Sequence, residues 1–86
     1  MPNVTIYTTM MCPYCFRAKK LLTQKGVKFD EIDVGTDPGL RREMTTRSNG
    51  GQTVPQIFIG KRHVGGCDEL FALEARGELD AALQAA

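Results

Sequence analysis

The first thirty-four residues restrict the fold more than any other part of the chain. Val4-Thr5-Ile6-Tyr7-Thr8 alternates apolar and polar residues and is rich in β-branched side chains, which predicts a strand. A helix is expected from about Pro13 to Lys25. Proline suits a first helical position, where its missing N–H costs nothing, and Gly26 suits the left-handed stop. Phe16, Leu21 and Leu22, with Ala18 between, are expected to form its apolar side. Val27 to Val34 alternates again and predicts a second strand. Strand, crossover helix and strand in this order call for a parallel pair, since parallel neighbours need a crossover connection.

The second half has a different grammar. Asp37 is expected to cap a weaker helix opened by Pro38, with Leu40 and Met44 four residues apart on one side and Asn49-Gly50-Gly51 at its end. Pro55-Gln56-Ile57-Phe58-Ile59 predicts a short strand, Gly60-Lys61 a turn and Arg62-His63-Val64 a return strand, together a hairpin. Gly65-Gly66 breaks that strand. A helix then runs from Cys67 or Asp68 to Arg76, stops at Gly77, and a short Ala-rich helix follows. The order β-α-β-α-β-β-α predicts an α/β fold, a mixed four-stranded sheet flanked by helices. Eighty-six residues make one domain, 1–86, and 42% hydrophobic residues suffice for a core without metal or bridges.

Composition narrows the function. A net charge of +1, with no basic run and no aromatics interleaved among Lys and Arg, argues against nucleic acid. No apolar stretch approaches the roughly 18 residues that span a bilayer, so no membrane partner is expected. Met1-Pro2-Asn3-Val4 lacks the features of a signal peptide, and a cytoplasmic protein is expected. Three cysteines leave at least one thiol free and are too few for a disulfide-stapled scaffold. In a reducing compartment, closely spaced cysteines are more often catalytic or metal-binding than structural.

Cys12-Pro13-Tyr14-Cys15 sits where the first strand hands over to the first helix. Unpaired N–H groups and the helix dipole favour negative charge there, so Cys12 is expected as a thiolate. Cys15 lies one turn on, close enough for a disulfide and deeper in the helix. Cys12 is therefore the attacking thiol and Cys15 the resolving one. A stabilised thiolate gains little as an attacker, because nucleophilicity falls along with basicity, but it departs faster as a leaving group. Its main benefit comes when a mixed disulfide on Cys12 is released. The same C-x-x-C beside a βαβ pattern points to the thioredoxin-like architecture. An alternative is a zinc site built from Cys12, Cys15, His63 and Cys67.

Cys12-Pro13-Tyr14-Cys15, Thr53-Val54-Pro55 and Gly65-Gly66-Cys67-Asp68 together resemble the glutaredoxin family, most closely its bacterial dithiol members, across nearly the whole chain. The resemblance implies a glutathione-dependent thiol–disulfide oxidoreductase with glutathione as co-substrate and no bound cofactor or metal. Its partners would be glutathione and disulfide-bonded or glutathionylated proteins, and it would act as a monomer. It further implies that Pro55 is cis, that the backbone of Val54 in the Thr53-Val54-Pro55 segment pairs with the cysteinyl part of glutathione, and that Tyr14 lines the groove. Gly66 allows close approach, and the backbone of Cys67 and Asp68 meets the γ-glutamyl carboxylate at a helix start. Asp68 could instead only cap its helix, Cys67 could be an inert small hydrophobe, and His63 a surface or packing residue. A thioredoxin-like reductase, or an iron–sulfur carrier using Cys12, remains as a competing function.

One departure stands out. The family commonly has a lysine before the motif, where this chain has Thr9 followed by Met10-Met11. Without that cation, the glycyl carboxylate of glutathione should be held more weakly and the Cys12 thiolate should depend more on the helix end. Arg47 and Gln52 are candidate replacements.

Overall fold

The structure is a computed structural model and describes residues 2–84. Its elements are β1 (Val4–Thr8), α1 (Pro13–Gln24), β2 (Phe29–Asp33), α2 (Pro38–Arg47), β3 (Gln56–Ile59), β4 (Arg62–Gly65), α3 (Cys67–Ala75) and α4 (Leu79–Gln84). The Ala-rich end beyond Gln84 lies outside the described residues. The strands form one sheet in the order β2-β1-β3-β4. β1 pairs parallel with β2 and antiparallel with β3, and β3 pairs antiparallel with β4. This is the mixed four-stranded sheet expected from the sequence.

Alternation along the central strands divides the core in two. Val4, Ile6, Ile57 and Ile59 pack with Ala18, Leu21 and Leu22 of α1, Leu70 and Leu73 of α3, and Leu79 and Leu83 of α4. Tyr7 and Phe58 take part in a second cluster with Met44 of α2 and Val34. The sheet is therefore covered on both sides, which leaves the ends of its strands as the place for a site.

The bounds of β2 and β3 differ from the sequence reading, each for a local reason. β2 begins at Phe29 rather than Val27, because the helix stop uses the preceding N–H groups. Gly26, at φ 74°, donates to Thr23 O, and Val27 donates to Leu22 O, the paired bonds of a Schellman stop. The strand ends at Asp33, whose carboxylate accepts Gly35 N–H at 2.7 Å and turns the chain. Pro55, with no N–H to give the ladder, lies outside β3. α2 behaves as expected. Asp37 accepts Leu40 N–H at 3.0 Å, Met44 is fully buried, and Asn49 supplies the left-handed stop at φ 57°.

Phe16 is a correction. The buried stripe of α1 is Cys15, Ala18, Leu21 and Leu22, whereas Phe16 is 56% exposed. One residue past Cys15 is a rotation of about 100°, which carries it off that stripe. Its ring instead lies under the Lys19 ammonium, 4.8 Å from the ring centre. Leu22→Ala should therefore cost about 2–5 kcal/mol of stability. Phe16→Ala should stay within about 0.5 kcal/mol. Urea unfolding of the two variants checks the difference, and equal losses would contradict this division of the helix.

Candidate active site

Cys12 is the N-cap residue of α1, with extended backbone (φ −103°, ψ 106°). Its sulfur accepts the Cys15 N–H at 3.2 Å. The Cys12 sulfur fills the place that a serine or aspartate oxygen takes at an ordinary N-cap, where the helix start supplies both a donor and a favourable dipole. The first turn of α1 contains no acidic residue to oppose negative charge there. Cys12 is half-buried, and its sulfur lies 4.0 Å from the carbonyl oxygen of Val54. The chain reaches it through Met11, which adopts the left-handed region at φ 62°. Met10 and Met11 are both strongly exposed beside it.

The other two thiols are buried. Burial first, and then the neighbouring Cys12 sulfur, holds the Cys15 thiol well above its ordinary value. Cys67 is also pushed up by burial, partly offset by the guanidinium of Arg17. All three cysteines are free thiols. Only Cys12 combines access to solvent with a helix-end donor.

A cavity of about 400 Å³ opens beside the thiols, lined by Tyr14, Thr53, Val54, Pro55, Gly66, Cys67, Asp68 and Glu69. The fold thus gathers the start of α1, the segment before β3 and the start of α3 around one space. The Val54–Pro55 peptide bond is cis. Gly65 has φ 116°, and a Cβ there would meet the Glu69 carboxylate at 2.8 Å, so both backbone and space call for glycine. A Cβ on Gly66 would stand 3.4 Å from the Pro55 carbonyl, a measure of how closely the two walls approach.

Asp68 does not cap α3. The N-cap is Gly66, and it is Glu69 that returns its carboxylate to the Gly66 N–H at 2.6 Å. Asp68 stands in the first turn, on the cavity wall. The residues weighed as zinc ligands are not gathered: among the described residues no group of three or more His, Cys, Asp or Glu side chains could hold a metal ion. His63 instead bonds to Gln56 across 2.6 Å and stacks on Phe58.

The candidate replacements for a lysine at position 9 are placed differently from each other. Arg47 is committed elsewhere, donating to Tyr7 Oη and the Gly60 carbonyl, each at 3.3 Å, with its guanidinium 4.1 Å from the Phe58 ring centre. Gln52 adjoins the cavity segment and offers its carbonyl to Arg41 at 2.9 Å. Arg41, Arg42 and Gln52 line a neighbouring cleft of about 500 Å³ with Pro38, Thr45 and Thr46. Arg41 was not singled out by the sequence reading. The paired arginines were visible there, but only the fold brings α2 beside residue 52.

A half-buried N-cap thiol, a fully buried partner one turn away and an adjoining cavity beside a cis-proline define a thioredoxin-like thiol redox protein. The family model for glutaredoxin matches residues 4–64. The chain is 60% identical over 85 residues to a glutaredoxin of Pseudomonas aeruginosa, covering 99% of this chain and all of that protein. It is 56% identical over 84 residues to glutaredoxin 3 of Escherichia coli K12, covering 98% of this chain and all of that protein. A crystal structure of a buckwheat glutaredoxin–glutathione complex superposes with a TM-score of 0.86 at 29% identity, covering 95% of this chain and 76% of that one. The chain belongs to the glutaredoxin family and is a thiol–disulfide oxidoreductase.

The raised Cys15 thiol has a consequence for stability. The unfolded chain ionises this thiol near its ordinary value of 9.0, while the folded protein keeps the proton. Above that pH the unfolded state binds fewer protons, so this contribution is complete below about 9 and is lost as pH rises. Cys67 acts in the same sense. Urea midpoints should fall more steeply above pH 9 in the wild type than in Cys15→Ala. Parallel pH profiles for the two proteins would contradict the buried assignment.

Proposed function

We propose that this glutaredoxin reduces glutathione mixed disulfides, with Cys12 as nucleophile, Cys15 as resolving thiol and glutathione as the electron donor. The observation that carries the reading is the Cys12 sulfur at the start of α1, facing Val54 beside the cavity. In the first step the Cys12 thiolate attacks the glutathionyl sulfur of a mixed disulfide. A Cys12–glutathione disulfide forms and the client thiolate leaves. A second glutathione thiolate attacks the glutathionyl sulfur next, giving glutathione disulfide and returning the Cys12 thiolate. The helix-end donor favours Cys12 as the leaving group in that step.

The cavity suits an extended tripeptide. Backbone N–H and C=O groups of Val54 can pair with the cysteinyl residue as one strand pairs with another. The N–H groups of Cys67 and Asp68 at the start of α3 would take the γ-glutamyl carboxylate, and the Asp68 carboxylate would face the ammonium. Tyr14, Thr53, Pro55 and Gly66 would shape the walls. Arg41, held at the Gln52 carbonyl, would supply the glycyl end with the cation that Thr9 lacks.

Protein disulfides need Cys15. After Cys12 attacks one sulfur of such a bond, Cys15 attacks Cys12 Sγ, releasing the client thiolate and closing a Cys12–Cys15 disulfide. The adjoining Cys12 sulfur contributes to holding Cys15 protonated, second to burial. That contribution is relieved once Cys12 is bonded in a mixed disulfide. Cys15 is thus poised to act after the first step rather than before it.

The Cys15→Ser protein should reduce a small glutathione mixed disulfide, read as NADPH consumption through glutathione reductase. Cys12→Ser should abolish the reaction. Arg41→Ala should raise the KM for the glutathione mixed disulfide about three- to tenfold, on the order of 1 kcal/mol of charge-assisted contact. Loss of turnover in folded Cys15→Ser would remove the single-thiol mechanism, and an unchanged KM in Arg41→Ala would remove the charge assignment.

A further inference from the structure

The side chains behind the Thr53–Pro55 segment form a directional hydrogen-bond relay that the redox chemistry does not account for. Gln56, the first residue of β3, is only 5% exposed although its side chain is a primary amide. Its amide nitrogen donates to the Thr53 carbonyl at 3.0 Å, with the Thr53 hydroxyl at 3.4 Å. Its amide oxygen lies 2.6 Å from His63 Nε2.

The order of donors in this relay is forced. A carbonyl can only accept, so the Thr53 carbonyl requires the nitrogen of Gln56. The oxygen of Gln56 must then face His63, which has to present an N–H at Nε2. Reversing the amide would set two oxygens against each other at Thr53. The neutral Nε2–H tautomer and the doubly protonated ring both satisfy the arrangement. His63 is itself held by stacking on Phe58, with ring centres 4.8 Å apart and planes 28° from parallel. Phe58 also lies beneath the Arg47 guanidinium.

The segment that this relay steadies is also held through Val54, which packs against the cluster of Tyr7, Val34, Met44 and Phe58. A Cβ on Gly51 would come within 2.5 Å of Ser48 Oγ and 2.9 Å of Gln56 Nε2, so the same amide also bounds the approach to the segment. Its far side is the cavity wall formed by Thr53, Val54 and Pro55.

We propose that Gln56 and His63 are positioning residues that fix the Thr53 carbonyl and, through it, the orientation of the Val54 backbone offered to glutathione. The inference rests on the glutathione reading given above. Both residues act through the segment, and neither touches the reacting sulfurs. The relay therefore belongs to binding, and its loss should appear in KM while kcat and the chemistry of Cys12 stay as they are.

His63 is exposed at an edge strand, which makes it the better variant for a folded protein. His63→Ala removes the donor to Gln56. It should raise the KM for a small glutathione mixed disulfide about three- to tenfold, the worth of one neutral hydrogen bond, with kcat within about twofold. His63→Gln restores an N–H donor and should recover most of the loss. The rate of Cys12 alkylation by iodoacetamide, which does not use the cavity, should be the same in all three proteins. An unchanged KM in His63→Ala, or a His63→Gln protein as impaired as His63→Ala, overturns the relay. A wild-type protein with no glutathione-dependent turnover overturns the underlying functional reading instead, so the two failures are separable.

Discussion

The bond from the Cys15 N–H to the Cys12 sulfur is the interaction on which the site depends. It makes the nucleophile the cap of α1, so that starting the helix and stabilising negative charge on sulfur are one event. An N-cap needs an acceptor, and a thiolate is a better acceptor than a thiol. The first turn has no acidic side chain, Pro13 occupies the position that needs no N–H, and Cys15 supplies the donor. One turn of helix thereby makes two neighbouring thiols unequal, one reachable by a partner and the other shielded from it.

What lies beneath that turn keeps it in place. α1 is anchored by Ala18, Leu21 and Leu22 against Ile6 and Ile57, and Cys15 belongs to the same buried stripe. The opposite wall of the cavity is attached to the same sheet, because the Thr53–Pro55 segment leads into β3 and the start of α3 follows β4. β3 is hydrogen-bonded to both β1 and β4, so the thiol, the segment before β3 and the α3 start share one rigid frame. Glu69 closes the frame by binding the Gly66 N–H, which ties the glycine corner to the first turn of α3.

Much of this was legible in the sequence, because it is written in local signals. Pro13, Gly26, Asp37 and Asn49 mark helix ends by backbone chemistry that needs no tertiary context, and the elements fall where those residues put them. All the cavity residues but Glu69 were legible through the resemblance of three separated motifs to one family, and the fold brings them around one space. What was not legible depended on direction and distance. Phe16 was counted with the core because apolar character does not state which way a residue points. Asp68 and Glu69 are adjacent acids in a helix start, and which of them returns to the backbone is decided by the Gly65-Gly66 corner. Arg41 gains its place beside Gln52 only when α2 packs on the sheet, and Arg47 is drawn away by Tyr7 and Phe58.

In the proposed mechanism a glutathionyl group on Cys12 lies ordered along the cavity, paired with Val54 and ending at the start of α3. The most direct test of this arrangement is NMR of the Cys15→Ser protein carrying glutathione in disulfide linkage to Cys12, compared with the reduced protein. Large amide shifts are expected at Val54, Cys67 and Asp68, with contacts from the glutathionyl protons to these residues. Shifts confined to Cys12 and its chain neighbours, with a freely tumbling tripeptide, would contradict the arrangement.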